Sequence, residues 1–251
     1  QLCFDPYAFP AIEHGVTTVV AGNCSLSLAP LRVDQRDAFS RMFRLIEEMP
    51  EAAFDSGVDW RWGEGFGEWL DALAGNISIN LAALVGHSVL RMYAMGADAQ
   101  SRIATSDEIS AMADLLRTCL AAGGVGLSTS FVDIDETYRP VPSRWADAAE
   151  LDALSAVLGE FNAVLQIVPE FFDADITVAR VEQLEDLSLR HGITTTFSPL
   201  FHSDAGHHGV VKVMEAVGRA PEVVTTPGRC TGTTLLWREC AASATLASSA
   251  C

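Results

Sequence analysis

The sequence predicts an α/β fold built on a parallel sheet. Three observations lead there. Short β-branched runs alternate with longer segments of helical period. The runs are apolar on both faces, or nearly so, as strands covered by helices must be. The interval between runs falls along the chain from about sixty residues to about thirty, near the size of a bare βαβ unit.

Taken in order, the first strand is residues 16–21 (VTTVVA). A helix over 37–48 then places Phe39, Met42, Phe43 and Ile46 on one stripe. The long connection 32–79 also carries a Trp- and Gly-rich insertion, WRWGEGFGEW, and a short helix over 66–74. Residues 80–85 (NLAALV) form the second strand. The strongest helix spans 106–122: Thr105 or Ser106 caps it, Ile109, Met112, Leu115, Leu116 and Cys119 recur at helical spacing, and Gly123-Gly124 ends it. There follow strand 125–130 (VGLSTS), helix 146–161, strand 164–168 (VLQIV), helix 176–191 closed by Gly192, strand 193–197 (ITTTF) and helix 210–217. A doubly wound open sheet and a TIM barrel both satisfy this order. No G-x-G-x-x-G turn and no P-loop follows a strand, which counts against nucleotide binding.

Composition narrows the function classes. The 251 residues carry 33 acidic and 16 basic side chains, a net charge of −17, which argues against nucleic acid as a partner. With 49% apolar residues the chain can build a packed core. No apolar run reaches the roughly 18 residues of a membrane span. The six cysteines read as reduced thiols, and with no signal peptide the expected compartment is the cytoplasm. Residues 221–251 stand apart: they lack a clear period, are near neutral, and hold Cys230, Cys240 and Cys251. They are expected to be a tail, disordered or of non-native sequence such as a frame shift produces, behind a barrel domain over 1–220.

In parallel α/β folds reactive groups gather at the C-terminal ends of strands. That rule selects Cys24, His87, Ser128 and Ser130, Glu170, and His202. Cys24 is a soft thiolate donor suited to Zn²⁺, with an inert buried cysteine as the alternative. His87 is either a site residue or a hydrogen-bonded core histidine. Cys24 with His87 could also make a thiol–imidazole pair, but nothing supplies an orienting third group, and there is no G-x-S-x-G elbow. His14 and His191 fall at the opposite end of the sheet and read as structural.

The run HGVTTVVAGNC from His14 to Cys24, with Ala29-Pro30 behind it, resembles the N-acyl-D-amino-acid deacylases (D-aminoacylases) of the amidohydrolase superfamily. The similarity continues through DWRW at Asp59, WLDAL at Trp69, LVGHSVLR at Leu84, GLSTS at Gly126 and PVPS at Pro140, over roughly residues 1–218. The resemblance implies an incomplete (β/α)8 TIM-type barrel, strands two to six being present as about five βα units. It implies zinc-assisted hydrolysis of the amide of an N-acyl-D-amino acid or a related small amide. Cys24 is then a metal ligand and His202 a second. His87, Ser128, Ser130 and Glu170 line the substrate site, Glu170 standing where better-known members place a His ligand. The catalytic residue is left unassigned, because the family's strand-one His-x-His motif and last-strand Asp have no counterpart in the matched segment. Lys212 falls within a helical segment, so a Lys-bridged metal pair is not expected. The competing class is a non-catalytic barrel relative acting as a binding or scaffold module.

Overall fold

A computed structural model describes residues 2–3, 5–9, 11–170, 173–200, 215 and 223–227. Six strands make one sheet: β1 Thr18–Ala21, β2 Asn80–Gly86, β3 Gly126–Ser130, β4 Val164–Val168, β5 Thr194–Leu200 and β6 Val223–Pro227. Their order across the sheet is their order in the chain, and every pairing is parallel. A doubly wound sheet reverses its direction of winding at a switch point; this one never does. The winding is that of a barrel wall, a partial (β/α)8 barrel.

The five strands read from the sequence are all present. The sixth, Val223–Pro227, lies inside the segment set apart as a tail and pairs with β5, Thr195 opposite Val223 and Phe197 opposite Thr225. The rest of 221–251 lies outside the described residues. So do His202, Lys212 and, apart from Glu215, the helix expected over 210–217.

Seven α-helices are described: α1 Arg36–Ile46, α2 Glu51–Gly57, α3 Phe66–Leu73, α4 His87–Met95, α5 Ser106–Ala121, α6 Ala148–Glu160 and α7 Ala174–His191. Three of them begin on side-chain caps. Thr105 accepts from the Glu108 N–H while Glu108 reaches back to the Thr105 N–H, a full capping box for α5. Asp147 caps α6 and Asp173 caps α7. Gly192, at φ 65°, closes α7 in the left-handed conformation. From these helices Met112, Leu116, Leu154, Leu158, Val181 and Leu184 reach the sheet and are buried with Val85, Leu127, Leu165 and Phe197. Each such side chain contributes about 1.5–3 kcal/mol by leaving water.

Two helices were not legible. The insertion folds as α1, α2 and α3 around an aromatic cluster in which Phe39, Phe43, Phe54, Trp60 and Trp62 pack as tilted neighbours, with the Arg36 guanidinium 4.7 Å above the Trp60 ring. Helix α2 owes its place to this packing, Phe54 being its buried anchor. Helix α4 starts directly at the end of β2 with no intervening loop, so His87 is a first-turn helical residue.

Candidate functional site

Because the strands are parallel, the C-terminal ends of β1 to β4 meet at one end of the sheet. Gly22 leaves β1 at φ 97°, and a Cβ there would lie 2.4 Å from the Leu84 carbonyl oxygen, so only glycine fits. Two residues later Cys24 and Ser25 both adopt positive φ, 58° and 61°. For non-glycine residues this costs about 1–2 kcal/mol each, and the surroundings must hold it in place.

Ser25 supplies the hold. It is wholly buried. Its N–H donates to Ser128 Oγ at 3.1 Å, its carbonyl accepts the Ser88 N–H at 3.2 Å, and its hydroxyl meets Ser88 Oγ at 2.7 Å. Gly86 makes room: a Cβ there would stand 2.5 Å from the Ser25 carbonyl oxygen.

Beneath this turn lies a floor of buried hydroxyls. Ser128 donates to Gln166 Oε1, and Gln166 Nε2 donates to the Ile167 carbonyl at 2.9 Å. Ser88 Oγ accepts from the Ser143 N–H at 3.2 Å, and Ser143 Oγ donates to the Ser130 carbonyl at 2.9 Å. Ser130 Oγ accepts from the Asp133 N–H at 3.2 Å. Ser128 and Ser130 were expected to contact substrate. Both are wholly buried and bonded within the protein, where they fix the turn that bears Cys24 and the loop that bears Asp133.

His87 was also expected to line the substrate site. It is wholly buried, with Nδ1 2.8 Å from Thr129 Oγ1 and Nε2 2.7 Å from Glu150 Oε1. The other oxygen of Glu150 takes Arg91 Nη1, whose remaining donors reach the carbonyls of Ala99 and Arg102. Burial pushes the Glu150 carboxyl up, but the His87 hydrogen bond and the Arg91 charge overcome it and hold it below the usual range. This is the core-histidine alternative, joining β3, α4 and α6. Glu170, just past β4, accepts the Asp173 N–H on Oε2 at 3.1 Å and so belongs to the turn that starts α7.

Cys24 keeps the partly buried strand-end position expected for it. Burial, with the charges of Asp133 and Glu47 adding to it, pushes its thiol up to about 12. Asp133 follows β3, and burial raises its carboxyl too, offset in part by the Ser130 hydrogen bond and the Arg144 charge. Asp133 Oδ2 is buried with no hydrogen-bond partner. Burial thus disfavours the charged form of both groups, and Asp133 keeps one oxygen without a hydrogen bond. Among the described residues no group of three or more His, Cys, Asp or Glu side chains could hold a metal by itself. A cleft of about 230 Å³ beside Gln100, Asp135 and Arg139 lies away from Cys24.

Asp133, Glu150 and Arg91 escaped the sequence reading. Asp133 sits three residues beyond Ser130, so carrying the strand-end rule a little further along the loop would have reached it. Glu150 and Arg91 lie inside helical patterns and gave no such signal.

No family model matches the chain. Comparison with individual proteins is informative. The chain is 44% identical over 121 residues to the D-aminoacylase of Alcaligenes xylosoxydans xylosoxydans, covering 48% of this chain and 22% of that enzyme. A crystal structure of D-aminoacylase, described as defining a novel subset of amidohydrolases, superposes with TM-score 0.70 at 27% identity, over 90% of this chain and 44% of that one. The N-acyl-D-glutamate deacylase of Bordetella bronchiseptica, complexed with zinc and a phosphonate mimic of the tetrahedral intermediate, gives TM-score 0.63 at 28% identity, over 86% and 42% respectively. The chain thus spans less than half the length of each of these relatives.

Proposed function

The chain is a D-aminoacylase-like amidohydrolase, and on that premise we propose that the protein is a metal-dependent hydrolase cleaving the amide of an N-acyl-D-amino acid or a related small amide. One observation carries the reading: on a barrel wall that superposes on D-aminoacylase, Cys24 follows the C-terminal end of β1, where the charge of Asp133 acts on its thiol. Zn²⁺ suits a thiolate and a carboxylate as donors. When bound, zinc supplies a Lewis acid that polarises an acyl carbonyl and acidifies a coordinated water.

The chain's own residues do the rest. Cys24 gives up its proton to become a ligand, so binding favours higher pH. Asp133 offers an oxygen that desolvation has left unsatisfied. Gly22 and Ser25 hold the turn between them, and the buried serines keep water from beneath it. His202 remains a proposed ligand, outside the described residues. No helix among the described residues is long and apolar enough to cross a membrane.

Glu170 favours a second reading, the non-catalytic relative. It occupies a strand end where the resemblance places a His ligand, and its carboxylate is engaged with the Asp173 N–H. Metal analysis of the purified protein and release of free amine from N-acetyl-D-amino acids separate the two. Bound zinc with turnover supports the hydrolase; neither metal nor turnover across acyl substrates supports the scaffold.

A further inference from the structure

The Cys24–Ser25 turn is held by residues on two other strands. Ser128 lies in β3 and Gln166 in β4, opposite one another in the sheet register. Ser128 has two jobs for one hydroxyl: its hydrogen goes to Gln166 Oε1, so its lone pair is left to face the Ser25 N–H. Gln166 is itself fixed by its bond to the Ile167 carbonyl. All three side chains are buried, Ser25 and Ser128 wholly so and Gln166 at 4% exposure, which leaves no water to take over any of these roles. Donor and acceptor directions are therefore set along the line from Gln166 to Ser128 to Ser25.

That line ends on the second of two consecutive left-handed residues. A non-glycine pair at positive φ relaxes to the extended or helical region when its restraints go. Relaxation about Ser25 swings Cys24, because the two share a peptide plane.

We propose that Ser128 is a positioning residue for Cys24: its hydroxyl, oriented by Gln166, clamps the Ser25 N–H and so fixes the turn that presents the Cys24 thiol at the end of β1. The role as a metal ligand of that thiol rests on the function proposed above; the clamp does not. Serine rather than alanine is required at 128 because the strand would form equally well with either, while only a hydroxyl can both donate to Gln166 and accept from Ser25.

The test uses the full chain and two readouts. One is the rate of Cys24 alkylation by iodoacetamide at fixed pH, followed on the Cys24 peptide by mass spectrometry. The other is the thiolate-to-metal charge-transfer absorption on titration with Co²⁺. Ser128→Ala is expected to speed alkylation of Cys24 and weaken Co²⁺ binding, each by about tenfold or more, as loss of a partner behind a ligand does. Ser128→Thr, which keeps the hydroxyl, restores both. Gln166→Met leaves the hydroxyl but frees its direction, and gives the same loss in a chain that keeps Ser128. Ser188→Ala, which removes a buried hydroxyl bonded to the Ile193 carbonyl far along α7, is the stability control and leaves both readouts unchanged. If Ser128→Ala and Gln166→Met lower the melting temperature as Ser188→Ala does but leave Cys24 alkylation at the wild-type rate, the positioning role is overturned. If wild type shows no Co²⁺ charge-transfer band while the alkylation rates change as stated, the metal reading fails and the clamp stands.

Discussion

Nε2 of His87 lies 2.7 Å from Oε1 of Glu150, and neither side chain touches solvent. Arg91 closes the group from the other side of the carboxylate, also without exposure. A residue chosen from sequence for its place at a strand end is thus the keystone between a strand and two helices. Removing one partner of such a group leaves a charge stranded in the interior. Glu150→Ala is expected to destabilise the chain by about 3–5 kcal/mol, read as a shift in the urea midpoint. A loss below about 1 kcal/mol, the range of a surface pair, would show that Arg91 finds another partner.

Asp135 makes the acid side of the stability curve measurable. Burial would raise its carboxyl, but hydrogen bonds from the Thr137 side chain, the Arg139 backbone, Gln100 and the Thr137 backbone together bring it to about 2. An unfolded aspartate titrates near 3.9. Since the folded value is the lower one, the contribution is complete above about pH 4 and is lost as pH falls toward 2. The melting temperature of wild type should drop over that window more steeply than that of Asp135→Asn. Parallel curves would remove Asp135 from the account.

Cys24 has the opposite sign. Its folded value, about 12, stands above the roughly 8.5 of a free thiol. The proton is held more tightly in the folded chain, so stability is present below about pH 8.5 and declines as pH rises through the interval to 12. At pH 8 the native Cys24 should alkylate at least about tenfold more slowly than in urea. Zn²⁺ should slow native Cys24 further while releasing a proton, a change visible in weakly buffered solution. Equal native and unfolded rates would contradict the desolvated placement.

Gly86 tests the close approach beneath the turn. A methyl group there would meet three backbone atoms, the Ser25 oxygen at 2.5 Å, the Ser27 nitrogen at 2.7 Å and the Ser25 carbonyl carbon at 2.9 Å. None can move without moving the turn. Gly86→Ala should cost about 1–3 kcal/mol, the range of overpacking, and accelerate Cys24 alkylation. Thr105→Ala, at the α5 cap, should cost about 1 kcal/mol and leave Cys24 untouched.

Strands β1 to β5 were legible as short apolar runs between helical patterns; β3 and β4 are buried on both faces, whereas β1 is half exposed and β6 fell in the segment set apart as a tail. The capped helices α5, α6 and α7 were legible because Thr105, Asp147 and Asp173 satisfy N–H groups within their own first turns. Helices α2 and α4 were not. Phe54 finds its partners in Phe43 and Trp60, across the insertion, and α4 follows β2 with no connecting turn to announce it.

At the site, the sequence by itself determined which residues stand at strand ends, because alternation of strand and helix puts them there whatever the sheet's closure. Cys24 kept that place, and the likeness to D-aminoacylase was carried by local motifs that can be read without coordinates. Only the tertiary structure decided what those residues touch. It chose the barrel winding over the doubly wound sheet through strand order. It turned His87, Ser128 and Ser130 inward and set the Asp133 charge where it acts on Cys24. The partners involved, Glu150 to His87 and Ser25 to Ser128, lie 63 and 103 residues apart. Hydrogen bonds and charge act through distances of a few ångströms, and over such separations it is the fold, not the spacing in sequence, that sets them.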